Sequence, residues 1–151
     1  MTNPKILLVG DLNEFSKGYA EARAMRSLGL DVKALSHTII DSVERGRSEF
    51  SLVYRLAHKL GYELDTVGIN RRLLEAAREF EPDIAWIEKG NMIRPRTLQA
   101  LKEFRPSLRL AAYSDDDMYL SHNRSRYYTA GLNIYDCVFT TKAANVGLAE
   151  L

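Results

Sequence analysis

The chain carries one cysteine, three histidines and no apolar run long enough to cross a bilayer, and its charges nearly cancel. The single thiol, Cys137, excludes an internal disulfide. It lies in the apolar run Cys137-Val138-Phe139 and reads as a buried structural thiol. His37, His58 and His122 are too dispersed to form a metal site, so neither a metal nor another cofactor is expected. A net charge of +1, from 21 basic and 20 acidic side chains, argues against a dedicated nucleic-acid binder, which normally shows a basic excess. It leaves room for a local pocket that takes a small anion. The amino-terminal residues show no secretory pattern, and with no spanning segment the expectation is a soluble cytoplasmic protein, with peripheral membrane contact left open.

What is present suits one globular unit. The 151 residues are 46% hydrophobic, enough to bury a single core, and residues 1–151 read as one domain. Lys5-Ile6-Leu7-Leu8-Val9-Gly10 is a short apolar run ended by glycine, the pattern of a strand buried on both faces. A helical stripe of Ala20, Ala24 and Leu28 follows and stops at Gly29. Further strands are expected at 31–35, 83–87, 108–113 and 137–140. Helical spacing covers 50–60, 69–80 and 95–104, with Pro95 in a first turn. A polar and aromatic helix is expected over 118–130, a last helix from about Ala143, and an irregular surface loop at 37–48.

Five alternations of strand and helix predict a Rossmann-like α/β fold, an open parallel five-stranded sheet with helices on both faces. The order 3-2-1-4-5 is adopted by analogy with such folds. It puts the ligand crevice between the loops after the first and fourth strands, where strand order reverses.

The first of those loops, Gly10 to Gly18, has two glycines but matches neither the dinucleotide fingerprint nor the P-loop. Ser16 and Lys17, with Gly18, stand where a helix amino terminus would hold an anion or a sugar hydroxyl. A simple cap and a solvated charge are the alternative. The second loop, Ser114-Asp115-Asp116-Asp117, is the sharpest feature. Three adjacent carboxylates repel one another unless something offsets them. Capping by Asp117 or a neighbour accounts for one, and base chemistry or contacts to a hydroxylated substrate would account for the others. Asp115, Asp116 and Asp11 are therefore the candidate catalytic groups. After the third strand, Lys89 could meet a negative group, with Glu88 orienting it, and Asn91 lies on the same rim; a strand-end ion pair is the plainer reading. Lys142, after the fifth strand, is a similar candidate, and Ser114 completes the candidate binding set. Arg124, Arg126, Tyr127 and Tyr128 form a possible basic and aromatic contact surface.

The first strand, Asn70-Arg71-Arg72-Leu73-Leu74 through Pro82-Asp83-Ile84, Glu88-Lys89-Gly90, Tyr113-Ser114-Asp115-Asp116 and the segment Tyr135 to Lys142 together resemble the CgeB-like, spore-maturation type glycosyltransferases. That resemblance implies a GT-B enzyme with two Rossmann-like domains. This chain would be the acceptor-side half, binding an unknown acceptor, and the nucleotide-sugar donor would bind mainly to a carboxyl-terminal domain that the sequence lacks. Such a half would be inactive alone, and its exposed cleft face could self-associate. The alternative is a flavodoxin-like signalling or binding module, such as a degenerate receiver. Asp11 and Lys142 fit that pattern, but the third strand ends in Glu88 with no phosphate-accepting aspartate.

Overall fold

The computed structural model describes residues 3–39, 42–49 and 51–150. Strand β1 is Lys5–Gly10, helix α1 Lys17–Ser27, β2 Asp31–Ser36, α2 Ser42–Glu49, α3 Leu52–Lys59 and α4 Ile69–Phe80. Then come β3 Ile84–Glu88, α5 Pro95–Phe104, β4 Arg109–Ser114, α6 Arg126–Gly131 and β5 Cys137–Thr140. All four strand pairings are parallel. The expected open five-stranded parallel sheet is the observed one.

Its strand order, however, is 2-1-3-4-5 and not 3-2-1-4-5. The chain steps from β1 outward to β2, then crosses back over β1 to place β3 on its other side. With right-handed crossovers, that reversal puts α1 on one face and the later helices on the other. One face carries Leu7, Val9, Ala85, Ile87, Leu110 and Ala112, buried against Ile69 and Leu73 of α4 and Leu98 and Leu101 of α5. On the opposite face α1 lies over β1 and β2, with Gly18 and Ala22 buried. The reversal of strand order therefore falls between β1 and β3, and the crevice opens above those two central strands.

Local expectations at four places are corrected. Of the loop expected at 37–48, residues 42–48 belong to helix α2, which a polar composition without apolar periodicity did not reveal, and residues 40–41 lie outside the described residues. The segment 118–125 is a series of turns, and α6 begins only at Arg126 with Ser125 as its cap. The carboxyl-terminal segment Ala143–Glu150 is a 3-10 run, not a regular α-helix. Cys137 is exposed: it sits on edge strand β5, on the α1 face of the sheet but beyond β1 and β2, the strands that α1 covers. Among the described residues no helix is long and apolar enough to cross a membrane.

Two polar clasps hold the later strands in register. Lys102 on α5 bonds both oxygens of Asp136, at 2.9 and 2.6 Å, and Arg109 meets Asp136 Oδ1 at 3.0 Å. The Leu110 amide donates to Asp136 Oδ2 at 2.8 Å. Asn70 uses all its polar capacity at the start of α4. Its amide donates to Asp65 and to the Met92 carbonyl, and its oxygen accepts from the Arg94 amide and the Thr97 hydroxyl.

Candidate functional site

A cleft of 360 Å³ opens at the carboxyl ends of β1, β3 and β4. Asp11, Ser16, Lys17, Gly18, His37, Thr38, Glu88, Lys89, Tyr113 and Asp115 line it. Six of the ten residues expected at a site therefore converge here, although the crevice lies between β1 and β3 and not between β1 and β4.

Glu88 forms its floor. As the last residue of β3 it is only 7% exposed, and Oε1 has no hydrogen-bond partner. The side chain projects to the α1 face, where two glycines make room for it. A Cβ at Gly10 would strike the Glu88 carboxylate, and one at Gly18 would lie 2.5 Å from its Oε2 and 2.7 Å from the Asp11 carbonyl. The glycines that fit no phosphate-binding motif thus wall a slot for a carboxyl group. Burial, reinforced by the neighbouring Glu21 carboxylate, pushes the Glu88 pKa up to about 7. Glu21 is itself fixed by a 3.0 Å bond from Trp86 Nε1.

The acidic and basic groups around Glu88 are tied to one another. Lys17 Nζ lies 3.2 Å from Asp115 Oδ2, bonds the Tyr113 hydroxyl and sits 4.2 Å above the Tyr113 ring. Desolvation opposes the charge on Lys17, but Tyr113 and Asp115 outweigh it and raise its pKa. Desolvation likewise acts against Asp115, and Lys17 holds its carboxyl below the usual range. Lys89 Nζ lies 2.6 Å from Asp116 Oδ2. Lys89 also adopts a left-handed φ of 42° at the end of β3, a conformation costly for a residue with a side chain and found most often at functional turns. Asp11 accepts from the Asn13 amide at 3.0 Å and the Thr38 hydroxyl at 2.9 Å. These bonds overcome its partial burial and lower its pKa. Burial pushes the His37 pKa below its ordinary value, against the pull of the Asp11 carboxylate.

Ser16 caps α1, accepting from the Tyr19 amide at 3.3 Å, and its hydroxyl donates to the Asp11 carbonyl. It shapes the wall of the cleft through its own hydrogen bonds.

The remaining expected residues lie outside the cleft lining. Asn91 faces away from the cleft, bonding the Ser125 amide and the Asn123 carbonyl at 3.0 and 2.9 Å. Ser114 is buried beneath the loop and accepts from the Asp116 amide at 3.2 Å. Lys142 is exposed beyond β5 and does not line the cleft. Asp117 caps no helix; Oδ1 accepts from the Tyr119 amide at 3.0 Å within a turn. The aspartate run divides into one ion pair each for Asp115 and Asp116 and a turn for Asp117, which offsets the repulsion between them. Sequence reasoning missed His37, Thr38 and Tyr113, and gave Glu88 only an orienting role. The available signal was the pair of glycines flanking the first loop opposite a strand-end acid. Among the described residues no group of three or more His, Cys, Asp and Glu side chains is gathered as metal ligands.

No family model matches the chain, and no curated protein matches it. Solved structures similar to it include the signal receiver domain of the putative response regulator NarL from Mycobacterium tuberculosis. That match has 12% identity and a TM-score of 0.49 over 99% of this chain and 93% of that one. A LuxR-family two-component response regulator from Aurantimonas sp. matches at 10% identity and a TM-score of 0.48, over 99% and 81%. The receiver domain of a modulated diguanylate cyclase from Desulfovibrio desulfuricans matches at 15% and 0.48, over 95% and 86%. Likeness at this level carries no functional argument of its own, so function rests on the chemistry of the cleft.

The expected membership among the spore-maturation type glycosyltransferases is corrected. No family model supports it, and the similar solved structures named above are a response regulator and two signal receiver domains. The sheet order is 2-1-3-4-5, and Asp136 and Asn70, in two of the segments that carried the resemblance, are occupied in the structural clasps described above. The sugar-transfer activity and the nucleotide-sugar donor go with it; Asp11 and Asp115 line the cleft, and Asp116 is ion-paired to Lys89 beside it.

Proposed function

We propose that the chain is a receiver-type signalling or binding module that senses a small ligand and takes no phosphoryl group. One observation carries this reading. The central strand β3 ends in a buried glutamic acid with an unpartnered oxygen at the floor of the cleft. A carboxyl group that keeps its proton in about half of the molecules at neutral pH can, in that form, donate one hydrogen bond and accept another, and that form is a poor nucleophile. The cleft therefore suits a small polar molecule that presents an N–H or O–H to Glu88 Oε1. Lys17, Lys89 and Asp115 are proposed as contacts that exchange their internal ion pairs for the ligand, and Asp11 as a wall group.

Two features weigh against phosphoryl transfer. The acid at the end of β3 is walled by Gly10 and Gly18, which restricts in-line approach to it. Lys142, the lysine that best fitted a receiver pattern, lies away from the cleft.

Incubation with acetyl phosphate and magnesium, followed by intact-mass measurement, tests the reading. The expected result is an unchanged mass for the wild type. A stable phosphoryl adduct on Glu88 or Asp11 would replace it with a phosphate-accepting receiver.

A further inference from the structure

Helix α3 faces outward with its apolar side. Leu52, Val53, Leu56 and Leu60 are 80%, 69%, 57% and 53% exposed, whereas Tyr54 and Ala57 turn inward. At about 100° per residue these four side chains share roughly a quarter of the helix circumference. A soluble helix normally turns such a stripe toward the core.

Cations border the stripe. Arg55 and Lys59 flank one side of it along α3 and are exposed. The end of α3 is fastened to the start of α6: the Arg126 amide donates to the Gly61 carbonyl at 2.7 Å, and the Tyr62 and Tyr127 rings lie 5.1 Å apart. That junction sets Arg124 and Arg126 beside Lys59 and Leu60 around an open groove of 510 Å³. Among the described residues none of these four cations is in an ion pair. The Arg126 guanidinium lies over the Tyr62 ring, 5.5 Å away.

We propose that this face docks the chain onto an anionic lipid bilayer, with the leucine and valine stripe at the headgroup–acyl boundary and the four cations over acidic headgroups. Charge complementarity selects this occupant. A second copy packed symmetrically would bring the same cations toward one another, and a purely apolar groove on another protein would leave them unmatched. An anionic bilayer satisfies both halves of the surface at once, the arrangement of an interfacial amphipathic helix.

Co-sedimentation with vesicles tests the proposal, comparing phosphatidylcholine alone with a two-to-one mixture of phosphatidylcholine and phosphatidylserine. The chain is expected to pellet with the mixture and to remain in solution with phosphatidylcholine alone. Leu56→Asp, and separately the pair Arg55→Glu and Lys59→Glu, should each lower the partition coefficient about tenfold or more. These side chains are exposed, and an unchanged circular dichroism spectrum verifies folding of each variant. Failure of the wild type to bind the mixture would overturn the proposal, as would undiminished binding by Leu56→Asp. A dimer that Leu56→Asp abolishes, with no lipid binding, would assign the surface to a second copy instead.

Discussion

Gly18 and Glu88 occupy one slot between them: the carboxylate of Glu88 fills the space where a side chain at residue 18 would begin. A Cβ there would also lie 2.7 Å from the Asp11 carbonyl, which is backbone and cannot turn aside. Gly18→Ala would gain helix propensity of about 1 kcal/mol in α1. The clash should outweigh that gain and leave the protein destabilised by roughly 1–3 kcal/mol. Urea unfolding of the variant measures the balance; an unchanged or raised midpoint would contradict the packing described.

The raised pKa of Glu88 makes stability depend on pH in a defined direction. Its ordinary value is 4.5 and its folded value about 7, so the folded state holds this proton more tightly than the unfolded one. The associated stability is fully present below pH 4.5 and is lost as pH rises to about 7. Allowing for the open side of the cleft, the loss is roughly 1–2 kcal/mol. Glu88→Gln mimics the protonated form and should flatten the stability profile over this interval. A variant whose profile still parallels the wild type would show that another group is responsible.

Asp136 acts in the opposite sense. Although desolvation works against its charge, Lys102, the Leu110 amide and Arg109 lower its pKa from 3.8 to about 2. Its contribution is present above pH 3.8 and is lost as pH falls toward 2. Asp136→Asn keeps the size but loses the charge, and should cost roughly 1–3 kcal/mol at neutral pH. Thermal melts of the two proteins at neutral pH and near pH 2 should differ in the first condition and converge in the second.

Much of the fold was legible from residue pattern. Apolar runs at Ile6-Leu7-Leu8-Val9 and Asp83-Ile84-Ala85-Trp86-Ile87 marked central strands, and Pro95 marked the start of α5. Strand order was not, because the same alternation of elements is compatible with either crossover after β2. The helix expected over 118–130 failed because backbone amides of its first part donate to distant side chains: the Met118 amide to Asn145 Oδ1 and the Ser125 amide to Asn91 Oδ1. Such long-range bonds leave no periodic trace.

The site was half legible for a related reason. Asp115 and Lys17 drew notice as charges on loops, and the structure pairs them. Glu88 looked like an accessory to Lys89, because nothing local shows that residues 10 and 18 leave space for it. Asn91 and Ser114 are polar at the rim of a crevice and were read as ligand contacts, yet both are consumed by loop packing.

The central claim is that Glu88 is a buried carboxyl group with a raised pKa at the floor of a ligand cleft. Carbon-13 NMR of the glutamate side-chain carboxyl resonances across pH, with Glu88→Gln to assign the signal, measures it directly. The account predicts a Glu88 titration midpoint near 7. A midpoint at the ordinary glutamate value of 4.5 would show an accessible, charged carboxylate and contradict it.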